Sequence, residues 1–282
     1  MKRAALFGAG QVGTMLLRLL AAEYEPLCFI DNSAVRQGGL VSGLPVLSPD
    51  DAMVLAPDCI LLCVLDDERA FQMEAQLAGL GYRGELIRPW QLKVFDARAA
   101  VMRLLAEQIR SLGVEGCAAE LGVYRGDFAR LINAAFPDRP LLLFDTFGGF
   151  TQSDVELERS LGLSGAKTGD FSDTSVEDVR AVLPHPELAD FRVGYFPDSF
   201  LGCEGLGFAF VSLDADLYAP TLSALELFWP RLSPGGCIMV HDVNGKQYPG
   251  AGKAVSEFCG RNSILPLPIC DLHGSVVLSK PL

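Results

Sequence analysis

The sequence predicts an α/β protein made of two successive units, each an open and largely parallel sheet covered by helices. Three observations predict it. Short apolar runs alternate with amphipathic helical stretches along the 282-residue chain, the pattern that parallel strands and crossover helices impose. Two of those runs feed directly into glycine turns, Gly8-x-Gly10-x-x-Gly13 and Gly122-x-x-x-Gly126. Each turn is answered by an aspartate closing the next apolar run, Asp31 eighteen positions after Gly13 and Asp145 nineteen after Gly126. Strand, glycine turn, helix and acid-tipped strand, in that order, open a Rossmann-like unit. Two such α/β units are therefore expected, over residues 1–90 and 91–282.

In the first unit "AALFG" reads as a strand, "VGTMLLRLLAAE" as the helix behind the turn, and "PLCFID" as the second strand. "GGLVSGLPVLSPDDAM" reads as a loop entering a short helix. "CILLCVL" is a central strand, because its apolar run is continuous rather than alternating. "ERAFQMEAQLAGLG" is a helix and "GELI" a last short strand. The unit is shorter than a full dinucleotide-binding domain. Residues 91–112 then place Phe95, Val101, Leu104, Leu105, Ile109 and Leu112 at helical spacing, as a linker helix packing on the second unit.

From Glu115 the second unit begins with "GCAAELGVY", a strand into a turn, then the helix "DFARLINAAF" and the strand "PLLLFDTF". The polar stretch 162–175, "GLSGAKTGDFSDTS", reads as a mobile lid rather than core. "VEDVRAVL" is a helix; "FRVGYF" and "GFAFVSLDADLY" are strands. The helix "TLSALELFWPRL" follows, with Pro220 where it can open it. "GGCIMVHDV" is a strand, "GKAVSEFCG" a helix, and the end of the chain two strands joined by a turn.

Composition narrows the function classes. A formal net charge of −12 without a dense Lys/Arg cluster excludes nucleic acid and anionic membrane surfaces as partners. The apolar runs are too short to span a bilayer, and glycines interrupt the first one before it could serve as a signal peptide. The eight cysteines form no CxxC pair and sit in apolar segments, as buried free thiols of a cytoplasmic protein do. Small molecules remain as the natural partners.

The chemistry concentrates where apolar runs stop. Gly122 and Gly126 form a turn whose backbone N–H groups can approach a ligand, with a helix N-terminus behind them, and Glu120 stands just before it. Asp145 can accept ribose hydroxyl protons, the geometry of an adenosine ligand. Asp214 and Asp216 end one run, His241 and Asp242 another, and in a parallel sheet those ends face one crevice. Two or three oxygen ligands suit a hard divalent cation such as Mg²⁺. His241 could be a general base, or a nitrogen ligand more at home with Mn²⁺, Fe²⁺ or Zn²⁺. Asp214 and Asp216 could instead cap the following helix, and His241 could bond a carbonyl. In the first unit, Gly8, Gly10 and Gly13 would face phosphate and Asp31 a ribose.

The stretches "AELGVYRGDFARL", "LFDTFGGF", "GYFPDSF", "FVSLDADLYAPTLSALELFWPRLSPGGCIMVHD" and "PGAGKAVSEF" resemble, in order, the macrocin O-methyltransferase (TylF/MycF-like) family over about residues 115 to 262. The resemblance implies a class I methyltransferase sheet of seven strands with the last antiparallel, S-adenosylmethionine as methyl donor, and a divalent metal, typically Mg²⁺. It implies donor binding by Glu120, Gly122, Gly126, Asp145 and Thr146. It implies Asp214 and Asp242 as metal ligands, with Asp214 also the metal-bound base. The family has an Asp-Asp pair where this chain has His241-Asp242, which leaves the identity of the metal open. The acceptor would be a sugar hydroxyl on a glycoside or nucleotide-sugar, and the chain a homo-oligomer. Residues 1–90 resemble the small Rossmann-like domain that precedes some bacterial sugar acetyltransferases, where it binds a nucleotide-sugar. Two other readings stay open: an NAD(P)-dependent oxidoreductase working at the first glycine turn, and a non-catalytic sugar-nucleotide-binding protein.

Overall fold

A computed structural model describes residues 1–20, 24–92, 96–245, 247–271 and 274–282. The chain divides into two compact units, Met1–Ala100 and Val101–Leu282.

The first unit runs β1 (Lys2–Phe7), α1 (Gln11–Leu20), β2 (Tyr24–Ile30), β3 (Leu40–Val41), β4 (Leu44–Leu47), α2 (Pro49–Val54), β5 (Cys59–Leu62), α3 (Asp67–Gly79) and β6 (Glu85–Ile87). These strands form one six-stranded sheet in the order β3-β4-β2-β1-β5-β6. Every pairing is parallel except β3 with β4. Alternation along β1 divides the core: Ala4 and Leu6 join a cluster with Leu16 and Phe29, while Ala5 and Phe7 join another with Ile30 and Ile60. A sheet buried on both faces needs the continuous apolar strands that this stretch supplies. The expected loop at 38–53 contains the short β3–β4 pair. Residues 21–23 at the expected end of the first helix, and Phe95 of the linker helix, lie outside the described residues.

α4 (Ala97–Ser111) spans the division between the units, so the boundary falls inside the expected linker helix rather than ahead of it. Its buried face is Met102, Ala106 and Ile109, whereas Leu104 and Leu112, expected to pack, are exposed.

The second unit continues with β7 (Cys117–Leu121), α5 (Asp127–Ala135), β8 (Leu141–Asp145), α6 (Gln152–Ser160), α7 (Val176–Val182), β9 (Ala189–Val193), β10 (Phe208–Leu213), α8 (Tyr218–Arg231), β11 (Leu232–Val240), α9 (Gly250–Asn262), β12 (Leu267–Pro268) and β13 (Val276–Ser279). Its seven-stranded sheet has the order β12-β13-β11-β10-β7-β8-β9, with β13 antiparallel to β11. The interior packs Phe144, Phe196, Phe200, Phe208 and Phe228 ring against ring. Burying such rings contributes roughly 2–3 kcal/mol each.

The segment 162–175, read as a mobile lid, is anchored: Ala166 is buried with Val155 and Leu217, and Phe150 exchanges backbone bonds with Gly169 and Asp170. Just before it, Thr151 caps α6 by accepting from the Asp154 N–H. Asp154 and Glu158, polar in the sequence, are buried because each has a partner. The Tyr195 hydroxyl donates to Asp154 at 2.9 Å, and burial with that bond pushes the Tyr195 phenol up to about 12. The Tyr218 N–H donates to Glu158 at 2.8 Å, supplying the cap that Leu217 cannot give α8.

All eight cysteines are free, and most are buried.

Candidate active site

Register sets the site. Leu121 pairs with Leu213 and Phe144, and Leu213 pairs with Val240. Four parallel strands therefore end level, and the next residues form a row along one rim: Asp242 one residue beyond His241, Asp214, Gly122 and Asp145. Hydrogen bonds stitch the row, from Asp214 N–H to Leu121 O at 2.8 Å, His241 N–H to Leu213 O at 2.8 Å, and Gly122 N–H to Phe144 O at 3.0 Å. The carboxylates expected at one rim are brought to it. Glu120 lies one step inside, 1% exposed, beside the Ser212 hydroxyl at 3.4 Å.

The glycine turn is required by close approach. Gly122 has φ 83°, and a Cβ there would lie 2.0 Å from the Asp214 carbonyl oxygen. Gly126, at φ 80°, is the residue from which α5 starts. Asp145 holds the turn in shape: its Oδ2 accepts from the N–H groups of Val123 at 2.7 Å and Tyr124 at 2.9 Å, and its Oδ1 from Phe147 N–H at 2.8 Å. The Thr146 hydroxyl closes the next loop on itself, donating to Gly149 O at 2.9 Å and accepting from Gly148 N–H at 3.1 Å. Tyr124 and Arg125 are tied outward to Asp173, and the Thr174 hydroxyl donates to Tyr124 O.

On the other side of Gly122, three side chains converge. His241 Nδ1 lies 3.0 Å from Asp214 Oδ1 and 3.1 Å from Asp242 Oδ2, and one ligand atom from each residue falls within 4.8 Å of the others. No other group of three or more such side chains close enough to hold a metal occurs among the described residues. Asp216 joins them: burial, reinforced by the Asp214 and Asp242 charges and a hydrogen bond with Asp242, lifts its carboxyl well above the usual range against the opposing His241. Its helix-capping alternative is not realised, since Leu217 is the residue preceding α8 and makes no side-chain cap bond. Sequence spacing alone left Asp216 undecided. Asp216 and Asp242 stand at φ 58° and 55°, Tyr124 and Phe147 at 48° and 51°. Non-glycine residues in that region cost about 1 kcal/mol or more apiece and gather at working sites.

The N-terminal turn is also assembled. Gly8, at φ 117°, starts it, and a Cβ on Gly13 would fall 2.0 Å from Gly8 O. Asp31 reaches the turn, but its carboxylate is engaged: Oδ2 accepts from Ala9 N–H and pairs with Arg36 at 3.0 Å each, and Oδ1 accepts from Ser33 N–H at 2.9 Å. Burial opposes its ionisation, yet the N–H bonds from Ser33 and Ala9 and the Arg36 guanidinium together lower its carboxyl. Arg36 Nη1 also stands 3.7 Å from where a Cβ on Gly10 would be.

A glycine turn, an acid-tipped second strand and a charged cluster along the rim of a seven-stranded sheet define an α/β domain of the methyltransferase class. The profile of the family described as Macrocin-O-methyltransferase (TylF) matches residues 93–277, a longer stretch than the motifs alone covered. The chain belongs to that O-methyltransferase family. It is similar to the 8-demethyl-8-(2,3-dimethoxy-alpha-L-rhamnosyl)-tetracenomycin-C 4'-O-methyltransferase of Streptomyces olivaceus, 30% identical over 188 residues, covering 62% of this chain and 70% of that protein. Mycinamicin III 3''-O-methyltransferase of Micromonospora griseorubida is 31% identical over 164 residues, 54% of this chain and 63% of that one. Among solved structures, the O-methyltransferase NovP aligns with a TM-score of 0.55 at 23% identity, over 66% of this chain and 80% of its own, a likeness of fold. No helix among the described residues is long and apolar enough to cross a membrane.

Proposed function

We propose that this protein transfers the methyl group of S-adenosylmethionine to a hydroxyl of a sugar or sugar-bearing small molecule, assisted by a divalent metal. The observation that carries the reading is the placement of the Asp214–His241–Asp242 cluster on the same rim as the Gly122–Asp145 turn. It puts a hydroxyl-activating group beside a donor cradle. Relatives named for methylating a mycinamicin and a rhamnosyl tetracenomycin support a sugar acceptor.

The turn from Gly122 to Gly126 and the start of α5 take the donor's polar end through backbone N–H groups and the helix N-terminus. Asp145, already fixed by three N–H bonds, presents its remaining acceptor capacity to the ribose hydroxyls. Thr146 follows it in the same loop. One nitrogen and two carboxylates fit a six-coordinate divalent cation with open positions. A cation held by Asp214, His241 and Asp242 would lower the pKa of an acceptor hydroxyl. Asp214 takes the hydroxyl proton as the oxygen attacks the methyl carbon in line. The methyl–sulfur bond breaks, and the sulfonium leaves as the neutral thioether of S-adenosylhomocysteine. Holding the two reactants in that line is the larger part of the catalysis.

The Gly8–Gly13 turn, with Arg36 beside Gly10, serves a phosphate of a nucleotide or nucleotide-sugar. Asp31, held by two N–H bonds and Arg36, braces the turn and keeps acceptor capacity for a ribose as Asp145 does. A donor-dependent screen against nucleotide-sugars and glycosides, with and without divalent metals, tests the proposal. Methyl transfer to at least one sugar hydroxyl is expected. Binding of a nucleotide-sugar without any methyl transfer would overturn it in favour of a non-catalytic protein.

A further inference from the structure

We infer that His241 makes this centre selective for a first-row transition ion over Mg²⁺, with Mn²⁺, the weakest binder of that series, as the probe. The inference rests on the metal site of the proposed function and concerns which ion that site takes.

Two facts of geometry carry it. His241 does not stand apart as a base; its Nδ1 points between the two carboxylates, 3.0 Å from Asp214 Oδ1 and 3.1 Å from Asp242 Oδ2. Nδ1 and Asp214 Oδ1 are hydrogen-bonded to each other, and that nitrogen with one oxygen from each carboxylate, all within 4.8 Å of one another, is close enough for one cation to take all three.

The arrangement is also held in place. Asp242 sits at φ 55°, and its carbonyl accepts from Gly245 N–H at 2.9 Å, which fixes the turn that carries its carboxylate. The His241 N–H is bonded to Leu213 O at 2.8 Å, so the backbone bearing the ring is part of the strand ladder.

The donor chemistry then chooses among divalent ions. Mg²⁺ is hard, prefers an all-oxygen shell and gives up water reluctantly. An imidazole nitrogen adds affinity for first-row transition ions and little for Mg²⁺. An aspartate at 241 would make the three donors all oxygen. The histidine is thus the residue that moves the preference.

The test uses the full chain, stripped of metal, with S-adenosylhomocysteine present. Mn²⁺ is titrated and followed by electron paramagnetic resonance, with pulsed measurement of ¹⁴N coupling, and Mg²⁺ is added as competitor. Wild type should bind Mn²⁺ with an imidazole nitrogen signal, and about a hundredfold excess of Mg²⁺ should displace less than half of it. His241→Asp should lose the nitrogen signal and let Mg²⁺ compete at least about tenfold better. Calorimetry with S-adenosylhomocysteine reports whether the variant keeps its fold, and the wild-type nitrogen signal needs no variant. No Mn²⁺ binding, Mn²⁺ bound without nitrogen coupling, or Mg²⁺ displacing it at equal concentration overturns the inference. Nitrogen-bound Mn²⁺ in a protein with no affinity for S-adenosylhomocysteine would instead sink the methyl-transfer reading and leave this one standing.

Discussion

The molecule contains two glycine turns with nearly the same wiring and different surroundings. In both, an aspartate at the tip of the second strand accepts backbone N–H bonds from the turn after the first, Asp31 from Ala9 and Asp145 from Val123 and Tyr124. Around the first, Arg36 pairs with that aspartate and lies beside Gly10. Beside the second, the next strand ends bring Asp214, His241 and Asp242 together, while Arg125 is drawn outward to Asp173. The turn is a general device for bringing backbone donors to a ligand, and the neighbouring strand ends decide the chemistry.

The largest expected effect separates those neighbours from the turn itself. Asp242→Ala should lower methyl transfer by about a thousandfold or more while leaving S-adenosylhomocysteine affinity within about threefold. Kinetics and calorimetry on the same preparation check it, and unchanged turnover removes Asp242 from the mechanism. Next comes the turn. Gly122→Ala forces a Cβ to 2.0 Å from Asp214 O at φ 83° and should cost about 3 kcal/mol of stability in denaturant unfolding. Asp145→Ala removes the acceptor of three N–H bonds and should weaken S-adenosylhomocysteine binding by about tenfold or more. Asp31 sharpens the comparison through pH. Its folded carboxyl is lowered, so its stabilisation is present above the unfolded value near pH 4 and fades as pH falls through the lowered folded value. Urea midpoints of wild type and Asp31→Asn should therefore differ at pH 7 and converge in strong acid, with methyl transfer to a simple glycoside unaffected. Smallest is Asp173→Asn, at an exposed pair, which should change donor affinity by less than about threefold.

Much of the second unit is legible in the sequence because it rests on long signals. Buried parallel strands leave continuous apolar runs, and the residues that stop them, Asp145, Asp214 and His241, are the ones the rim collects. What escapes is short or ambivalent. β3 is two residues long, below any period a pattern can show. Asp154 and Glu158 stand in a polar stretch with no apolar signal, yet they are buried by partners, Tyr195 and Tyr218, far away in sequence. On α4 both possible faces carry leucines, and only packing distinguishes buried Met102 from exposed Leu104. Asp216 was ambiguous for a different reason: its left-handed backbone redirects a side chain that strand alternation cannot place.

Titrating S-adenosylhomocysteine and, separately, NAD⁺ into wild type and Asp145→Ala by calorimetry tests the assignment of the rim most directly. S-adenosylhomocysteine should bind wild type and bind Asp145→Ala at least about tenfold more weakly. Tight NAD⁺ binding by a protein indifferent to S-adenosylhomocysteine would contradict it and move the working site to the Gly8–Gly13 turn.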